Sequence, residues 1–156
     1  MVCQKVLCVN IMICLISSII CISCAKTIDV TDNDVVRGQY RKGMVLIAKK
    51  DILIMHSGML WDHQSEIDIF KSGYRRDDYK GILKRGTKVK IVKVELYSHV
   101  EIGNEIYPIA LVIDGEWKDE EVNLHFTSKS SDRPENDSYY IDILDVDPEV
   151  FEIVNE

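Results

Sequence analysis

The chain has 156 residues and is acidic, with 19 basic and 26 acidic side chains and a formal net charge of −7. Lys5 is the only charged residue before Cys24, so the remainder of the chain is more acidic still. General nucleic-acid binding depends on lysine and arginine side chains that neutralise phosphates. The charge therefore argues against nucleic acid as a partner, while the length suffices for one domain after a leader.

All five cysteines lie in the first 24 residues, at Cys3, Cys8, Cys14, Cys21 and Cys24. The segment from Ala25 to Glu156 contains none and can form no internal disulfide. Its stability must therefore come from a packed core. The hydrophobic content of 46% is ordinary for a globular protein and is compatible with such a core.

The amino-terminal segment has the order of a secretory signal peptide. Lys5 supplies one positive charge, Val6–Ile22 is mostly apolar, and the small residue Ser23 precedes Cys24. The apolar run is at the lower limit for crossing a bilayer, which takes ~20 residues. We therefore predict a signal peptide over residues 1–23 in preference to a permanent membrane span.

The dipeptide Ser23-Cys24 resembles the end of a bacterial lipoprotein leader, in which a small residue precedes a cysteine that is lipidated and becomes the mature amino terminus. Cys21 departs from this pattern, because the family prefers leucine at that position. The resemblance implies a membrane anchor on Cys24. Since Ala25 is not the aspartate of an inner-membrane retention signal, it also implies the outer membrane or cell surface. The alternative is an ordinary signal peptide, which leaves Cys24 as a lone thiol.

After the leader, the composition predicts a tether followed by one β-rich domain. Residues 24–43 are polar and show no sustained apolar period, so we expect a flexible tether with at most a short ordered piece around Val35-Val36. The domain is predicted over residues 44–156. Its first strands are expected at Met44–Ala48 and Ile52–Met55, whereas residues 61–76 fit either a short helix or a long connection.

The clearest strand is Thr87–Leu96. Val89 and Ile91 share one face, but from Val92 onward the apolar residues change parity. Because side chains alternate between the two faces of a strand, this one-residue slip predicts a β-bulge near Ile91-Val92. A strand bent in this way suits a small barrel.

The remaining apolar runs also read as strands. Ile106–Ile113 contains Pro108, which predicts an edge strand or a bend, and Asp114-Gly115 predicts a turn. Residues 127–138 are predicted to form a loop, and strands at Tyr139–Leu144 and Val150–Val154 close the chain around a turn at Asp147-Pro148. Beyond Asp114-Gly115, apolar and polar residues alternate from Val122 to Phe126, which predicts a strand with one buried face. We expect this face to share one core with the strand Thr87–Leu96. The residues expected in that core are Val89, Ile91, Val94, Leu124 and Phe126.

The segment Gly81–Ile91, which reads GILKRGTKVKI, resembles part of the bacterial Src-homology-three-like barrel. The resemblance extends over roughly residues 43–126. It implies a mainly β fold, built as a small, strongly bent antiparallel sheet or a partly open barrel. Ile52–Met55 and Trp117 depart from the family pattern, and no wall-binding residue can be carried over.

No motif indicates an enzyme or a cofactor. His56, Asp62 and His63 lack the spacing of a compact metal site, so we expect no metal. A nucleophile elbow is missing. The carboxylate runs at residues 77–78 and 119–121 lie in turn-like contexts, where acids are usually solvated rather than raised in pKa. The aromatic residues, including Trp61 and Trp117, are expected mainly in the core.

Basic residues cluster between Lys71 and Lys93, which could form a face that attracts an anionic protein or envelope polymer. The candidate binding residues are Lys84, Arg85, Lys88, Lys90 and Lys93. The alternative is that these lysines only keep a strand edge soluble. Three functions stay open: a non-enzymatic binding module held at a membrane, an inhibitor or immunity-type protein, and an accessory of a cell-wall or glycan-acting enzyme.

Overall fold

A computed structural model of the protein describes residues 25–73, 77–99, 103–130 and 143–154. Cys24 and the predicted signal peptide lie outside this range. The described residues form eleven strands and one α-helix, α1 (Gln64–Lys71), which follows β4; a 3₁₀ turn (His125–Thr127) follows β8. The strands are β1 (Ala25–Asp29), β2 (Val45–Ala48), β3 (Ile52–Met55), β4 (Leu60–Trp61), β5 (Tyr79–Leu83), β6 (Lys88–His99), β7 (Gly103–Val112), β8 (Glu121–Asn123), β9 (Ser128–Ser130), β10 (Leu144–Val146) and β11 (Phe151–Val154).

The strands form three antiparallel sheets. The largest has the order β11-β2-β6-β7-β8, with β1 paired to the last part of β6. The second sheet has the order β4-β3-β5, and β9 and β10 form the third. The prediction of a mainly β fold with bent antiparallel sheets is confirmed, and the sheets do not close into a barrel.

Strand β6 organises the largest sheet. Its first residues pair with β2, its last residues pair with β1, and β7 runs beside most of its length. The pairing with β7 shifts register between Ile91 and Lys93, so Val92 is the extra residue of a β-bulge. The bulge keeps Val89, Ile91 and Val94 all buried despite the change in sequence parity, as the apolar pattern predicts.

The segment 24–43 differs from the predicted tether over its described residues. Strand β1 pairs with β6 along its whole length, and the backbone N–H of Val30 donates to the Val94 carbonyl. Tyr40 is fully buried, and its hydroxyl hydrogen-bonds that of Ser128 at 2.6 Å. The sequence shows no apolar period here because this segment is held in place by backbone pairing and by a few widely spaced buried side chains.

One large core fills the space between the sheets, and a small second cluster of Leu53, Ile67 and Ile82 lies under α1. Only Ile67 of the helix is buried, so α1 covers one side of the β4-β3-β5 sheet. Residues 61–76 thus contain the short helix, one of the two predicted alternatives. The largest fully buried side chains of the main core are Tyr40, Leu46, Ile52, Leu60, Leu83, Ile91, Ile106, Leu124 and Phe151.

The prediction that Phe126 faces the core is wrong, since its side chain is 51% exposed. Strand β8 ends at Asn123, and the following 3₁₀ turn breaks the alternation, so Thr127 is buried in place of Phe126. Pro108 likewise does not lie at an edge, because β7 runs between β6 and β8. The Pro108 carbonyl accepts a hydrogen bond from the N–H of Leu124, which lies just beyond the end of β8. Proline has no backbone N–H to donate, and at this position that absence breaks no hydrogen bond between β7 and β8.

Candidate functional site: a lysine pair and an aromatic row

Lys88 and Lys90 point away from the core on the first part of β6. Both are exposed, whereas the intervening Val89 is fully buried. Neither ammonium group has a carboxylate within ion-pair distance among the described residues. We call these two residues the lysine pair. Their location on one outward face agrees with the geometry expected from the strand pattern.

The other three predicted binding residues do not belong to this arrangement. Lys93 follows the bulge and is engaged by Glu95, with 2.7 Å between Nζ and Oε1. Lys84 and Arg85 lie in the turn before β6. Lys84 is 3.6 Å from Asp51, and the backbone N–H of Arg85 donates to the same carboxylate at 3.0 Å. The structure therefore divides the predicted basic face into three separate local environments.

The electrostatics of these environments differ. The hydrogen bond from the Arg85 backbone lowers the pKa of Asp51, and Lys71 and Lys84 lower it further. The hydrogen bond to Glu95 raises the pKa of Lys93, so its charge is firmly held. Lys84 and Lys93 thus already have acidic partners, which weakens their field toward another molecule. Among the described residues, no carboxylate is within ion-pair distance of the two ammonium groups of the lysine pair, and the nearby Asp114 carboxylate accepts the Lys88 backbone N–H at 2.7 Å.

The surface around the lysine pair mixes apolar and acidic residues. Val45 on β2 and Leu111 on β7 lie directly opposite Lys90, and both are half-buried. Glu121 pairs with Leu111 on the far side, so an acidic residue lies one strand beyond the apolar neighbour. The result is a small cationic area with apolar neighbours and with Glu121 one strand further away, and such a cationic area attracts anionic groups.

A second feature is a continuous row of ring side chains across the outer surface. It runs from β6 over β7 and the 3₁₀ turn to β4. The centroids of successive rings are between 4.8 and 6.2 Å apart, distances that are typical of aromatic contacts. We call it the aromatic row, and its members in spatial order are His99, Tyr97, Tyr107, His125, Phe126 and Trp61.

Most rings of the row are half-buried, and Phe126 is the most open. Two polar contacts fix its centre: the Tyr107 hydroxyl donates to Glu105, and the His125 ring nitrogen Nδ1 lies 2.9 Å from the Ile106 carbonyl oxygen. Burial and the bond to Glu105 raise the pKa of the Tyr107 hydroxyl, which therefore stays protonated. The row is thus a fixed surface that exposes ring carbon atoms.

Sequence reasoning missed the row because its members come from four separate elements. Tyr97 and Tyr107 are adjacent only through the diagonal geometry of β6 and β7, in which Tyr97 pairs with Glu105 and Glu95 pairs with Tyr107. Trp61 and Phe126 meet only because β4 lies beside the 3₁₀ turn. The one sign of the row in the sequence was that Tyr97 falls on the polar side of its strand.

Three of the residues weighed for other chemistry have side-chain partners within the domain. The Asp62 carboxylate pairs with Lys50 at 2.6 Å, and the His63 ring hydrogen-bonds Ser65. Glu120 of the second carboxylate run pairs with Lys80 at 2.7 Å. In the part of the chain that the structure describes, no three histidine, cysteine or acidic side chains converge as metal ligands would.

An open groove of about 530 Å³ lies between β11 and the paired strands β9 and β10. Its main polar groups already serve internal contacts. The Asp145 carboxylate accepts a hydrogen bond from the backbone N–H of Gln39, and Lys49 donates to the Pro148 carbonyl. Among the residues described around the groove, these polar groups are therefore already engaged within the chain.

No known protein family, no curated protein and no solved structure matches this chain. Among the described residues, no helix is both long and apolar enough to cross a membrane. The functional interpretation therefore depends on the lysine pair, the aromatic row and the amino-terminal sequence.

Proposed function

We propose that the chain is a non-enzymatic binding module of the cell envelope, anchored to the outer membrane or cell surface through a lipid on Cys24, which captures an anionic partner. The observation that carries the proposal is the lysine pair: two exposed ammonium groups on one face, without acidic partners among the described residues. Exposed charges of this kind act mainly by speeding association. The partner is an anionic protein or an anionic envelope polymer.

The place where the chain enters the folded domain supports this function. Ala25, the first described residue, pairs with His99 at one end of β6, and the lysine pair lies near the other end. At about 3.3 Å per residue, Lys90 and His99 are roughly 30 Å apart along the strand. An anchor on Cys24 would therefore hold the His99 end at the membrane and present the lysine pair on the distal side.

The test is a double charge reversal, Lys88→Glu with Lys90→Glu, in the full-length protein. We expect it to reduce partner capture from envelope extract and to remove most of the salt dependence, because the Debye length is only ~8 Å at physiological salt. The thermal unfolding midpoint should change little, since both side chains are exposed. A control reversal, Lys42→Glu with Lys129→Glu, makes the same change in net charge at two other exposed positions and should leave capture intact.

Equal recovery of the same partners by the wild type and the Lys88/Lys90 variant across a salt series would contradict the proposal. An equal loss in both variants would also contradict it, because net charge rather than the lysine pair would then control binding. In the first case these lysines would only keep the face of the sheet soluble.

A further inference from the structure

The aromatic row is close to the point where the chain enters the folded domain. Within the strand pair β1–β6, Ala25 pairs with His99 and Thr27 pairs with Tyr97. Two residues of a strand span roughly 7 Å. The first rings of the row therefore lie within roughly 7 Å, along the strand, of the level of Ala25, the residue that follows Cys24 in the sequence.

The row runs obliquely across the outer face of the sheet. It passes from β6 to the neighbouring strand β7, then to the 3₁₀ turn beside Ile106 and on to β4. Tyr107 pairs with Glu95, so along the strands it lies roughly 13 Å from the level of His99, with Tyr97 between the two levels. Because the rings project from the face of the sheet, they reach a membrane surface together only when the sheet is tilted with this face toward the membrane.

The composition of the row matches the region between lipid headgroups and acyl chains. Tryptophan and tyrosine are enriched there because each ring has an apolar body and a polar edge. Phe126 adds an apolar side chain that is 51% exposed. The two carboxylates beside the row are engaged, Glu105 by Tyr107 and Glu95 by Lys93, which reduces their cost at a lipid surface.

We propose that the aromatic row lies in the interfacial region of the lipid bilayer and holds the domain at a fixed tilt on the membrane. This inference rests on the proposed anchor at Cys24, which brings the chain's entry point to the bilayer. A lipid chain and an amphipathic surface are two separate membrane signals, and together they bind more firmly than either alone. The row would fix the tilt at which the Lys88 end of β6, with the lysine pair, is raised from the membrane.

The two tryptophans of the chain provide the test, because Trp61 belongs to the row and Trp117 does not. Trp117 packs against Gly81, and its ring N–H donates to the Ile82 carbonyl at 3.0 Å. The full-length protein, purified with its anchor, is reconstituted into phosphatidylcholine vesicles with plain or brominated acyl chains. The emission of Trp61 is the difference between the wild type and Trp61→Phe, a variant that retains an aromatic ring, and Trp61→Phe itself reports Trp117.

We expect bromine to quench most of the Trp61 emission, which should also shift to shorter wavelength in plain vesicles. Trp117 should show neither effect. High salt should not change the result, because an apolar contact is not screened. Flotation of the vesicles in a density gradient measures the anchor independently of the fluorescence.

Protein that floats with the vesicles but shows equal Trp61 emission with plain and brominated lipid would overturn the inference and leave the anchor intact. Protein that does not float would overturn both. If Trp61 is unquenched by lipid but shifts when envelope extract is added, the row binds another molecule and the inference is also wrong.

Discussion

At the scale of single residues, burial and sequence pattern disagree most clearly at Phe126. The alternation of Val122 and Leu124 with polar neighbours predicts a buried ring at Phe126, but β8 has already ended. Leu124 is fully buried and its carbonyl accepts hydrogen bonds from the N–H and the hydroxyl of Thr127, which form the 3₁₀ turn. Periodicity reports a strand only as far as its backbone stays extended, and here it gives no sign of where that ends.

This difference gives a paired prediction. Phe126→Ala should change the free energy of unfolding by less than about 1 kcal/mol, because the ring is half exposed and packs against the half-buried rings of Trp61 and His125. Phe151→Ala should cost about 3–5 kcal/mol, because that ring is 2% exposed in the main core. Urea unfolding followed by circular dichroism measures both, and comparable losses would show that Phe126 is a core residue after all.

At the scale of elements, the strand pattern predicted β2, β3, β6 and β11 closely, and the parity change located the bulge. These elements bury alternating or continuous apolar residues, which sequence reasoning can detect. Strand β1 could not be predicted in this way, because its described side chains are exposed and its stability comes from backbone pairing with β6. The lysine pair followed from strand parity, whereas the aromatic row required the tertiary contacts.

Thr31, just after β1, connects this part of the chain to β6 next to the bulge. Its hydroxyl oxygen accepts a hydrogen bond from the N–H of Val94 at 2.9 Å and donates to Asp29, and its side chain is 6% exposed. The same hydroxyl bond, with the Thr31 backbone bond, lowers the pKa of Asp29. A single buried hydroxyl therefore supplies the acceptor for the Val94 N–H, two residues beyond the extra residue of the bulge.

Thr31→Val retains the shape of the side chain but leaves the Val94 N–H without an acceptor. A buried unsatisfied donor costs about 1–3 kcal/mol, so we expect a loss of that size in the free energy of unfolding. Amide hydrogen exchange at Val94 should also become faster. Thr27→Val on the exposed part of β1 is the control and should stay within ~0.5 kcal/mol. Unchanged exchange at Val94 in Thr31→Val would mean that another acceptor replaces the hydroxyl.

At the scale of the whole molecule, β6 connects the two proposed surfaces. Its His99 end carries the first rings of the aromatic row and pairs with the chain's entry strand, and its Lys88 end carries the lysine pair. Because β1 begins at Ala25, little chain is left between Cys24 and the sheet to act as a spacer. With the proposed lipid on Cys24, the domain would lie directly on the membrane, with an orientation that a long flexible tether could not provide.

This arrangement predicts that removing the anchor changes location without changing the fold. Cys24→Ala should release the protein from membrane fractions or leave it unprocessed, because the lipid attachment depends on the thiol. The mature wild type should carry a diacyl or triacyl adduct on Cys24 in intact mass spectrometry. The circular dichroism spectrum and the unfolding midpoint of the variant should match those of the wild type, since the pairing of Ala25 with His99 uses backbone groups only. A mature amino terminus at another residue, without a lipid adduct, would contradict the proposed anchor. The lysine pair would then have to bind its partner without a fixed orientation relative to a membrane.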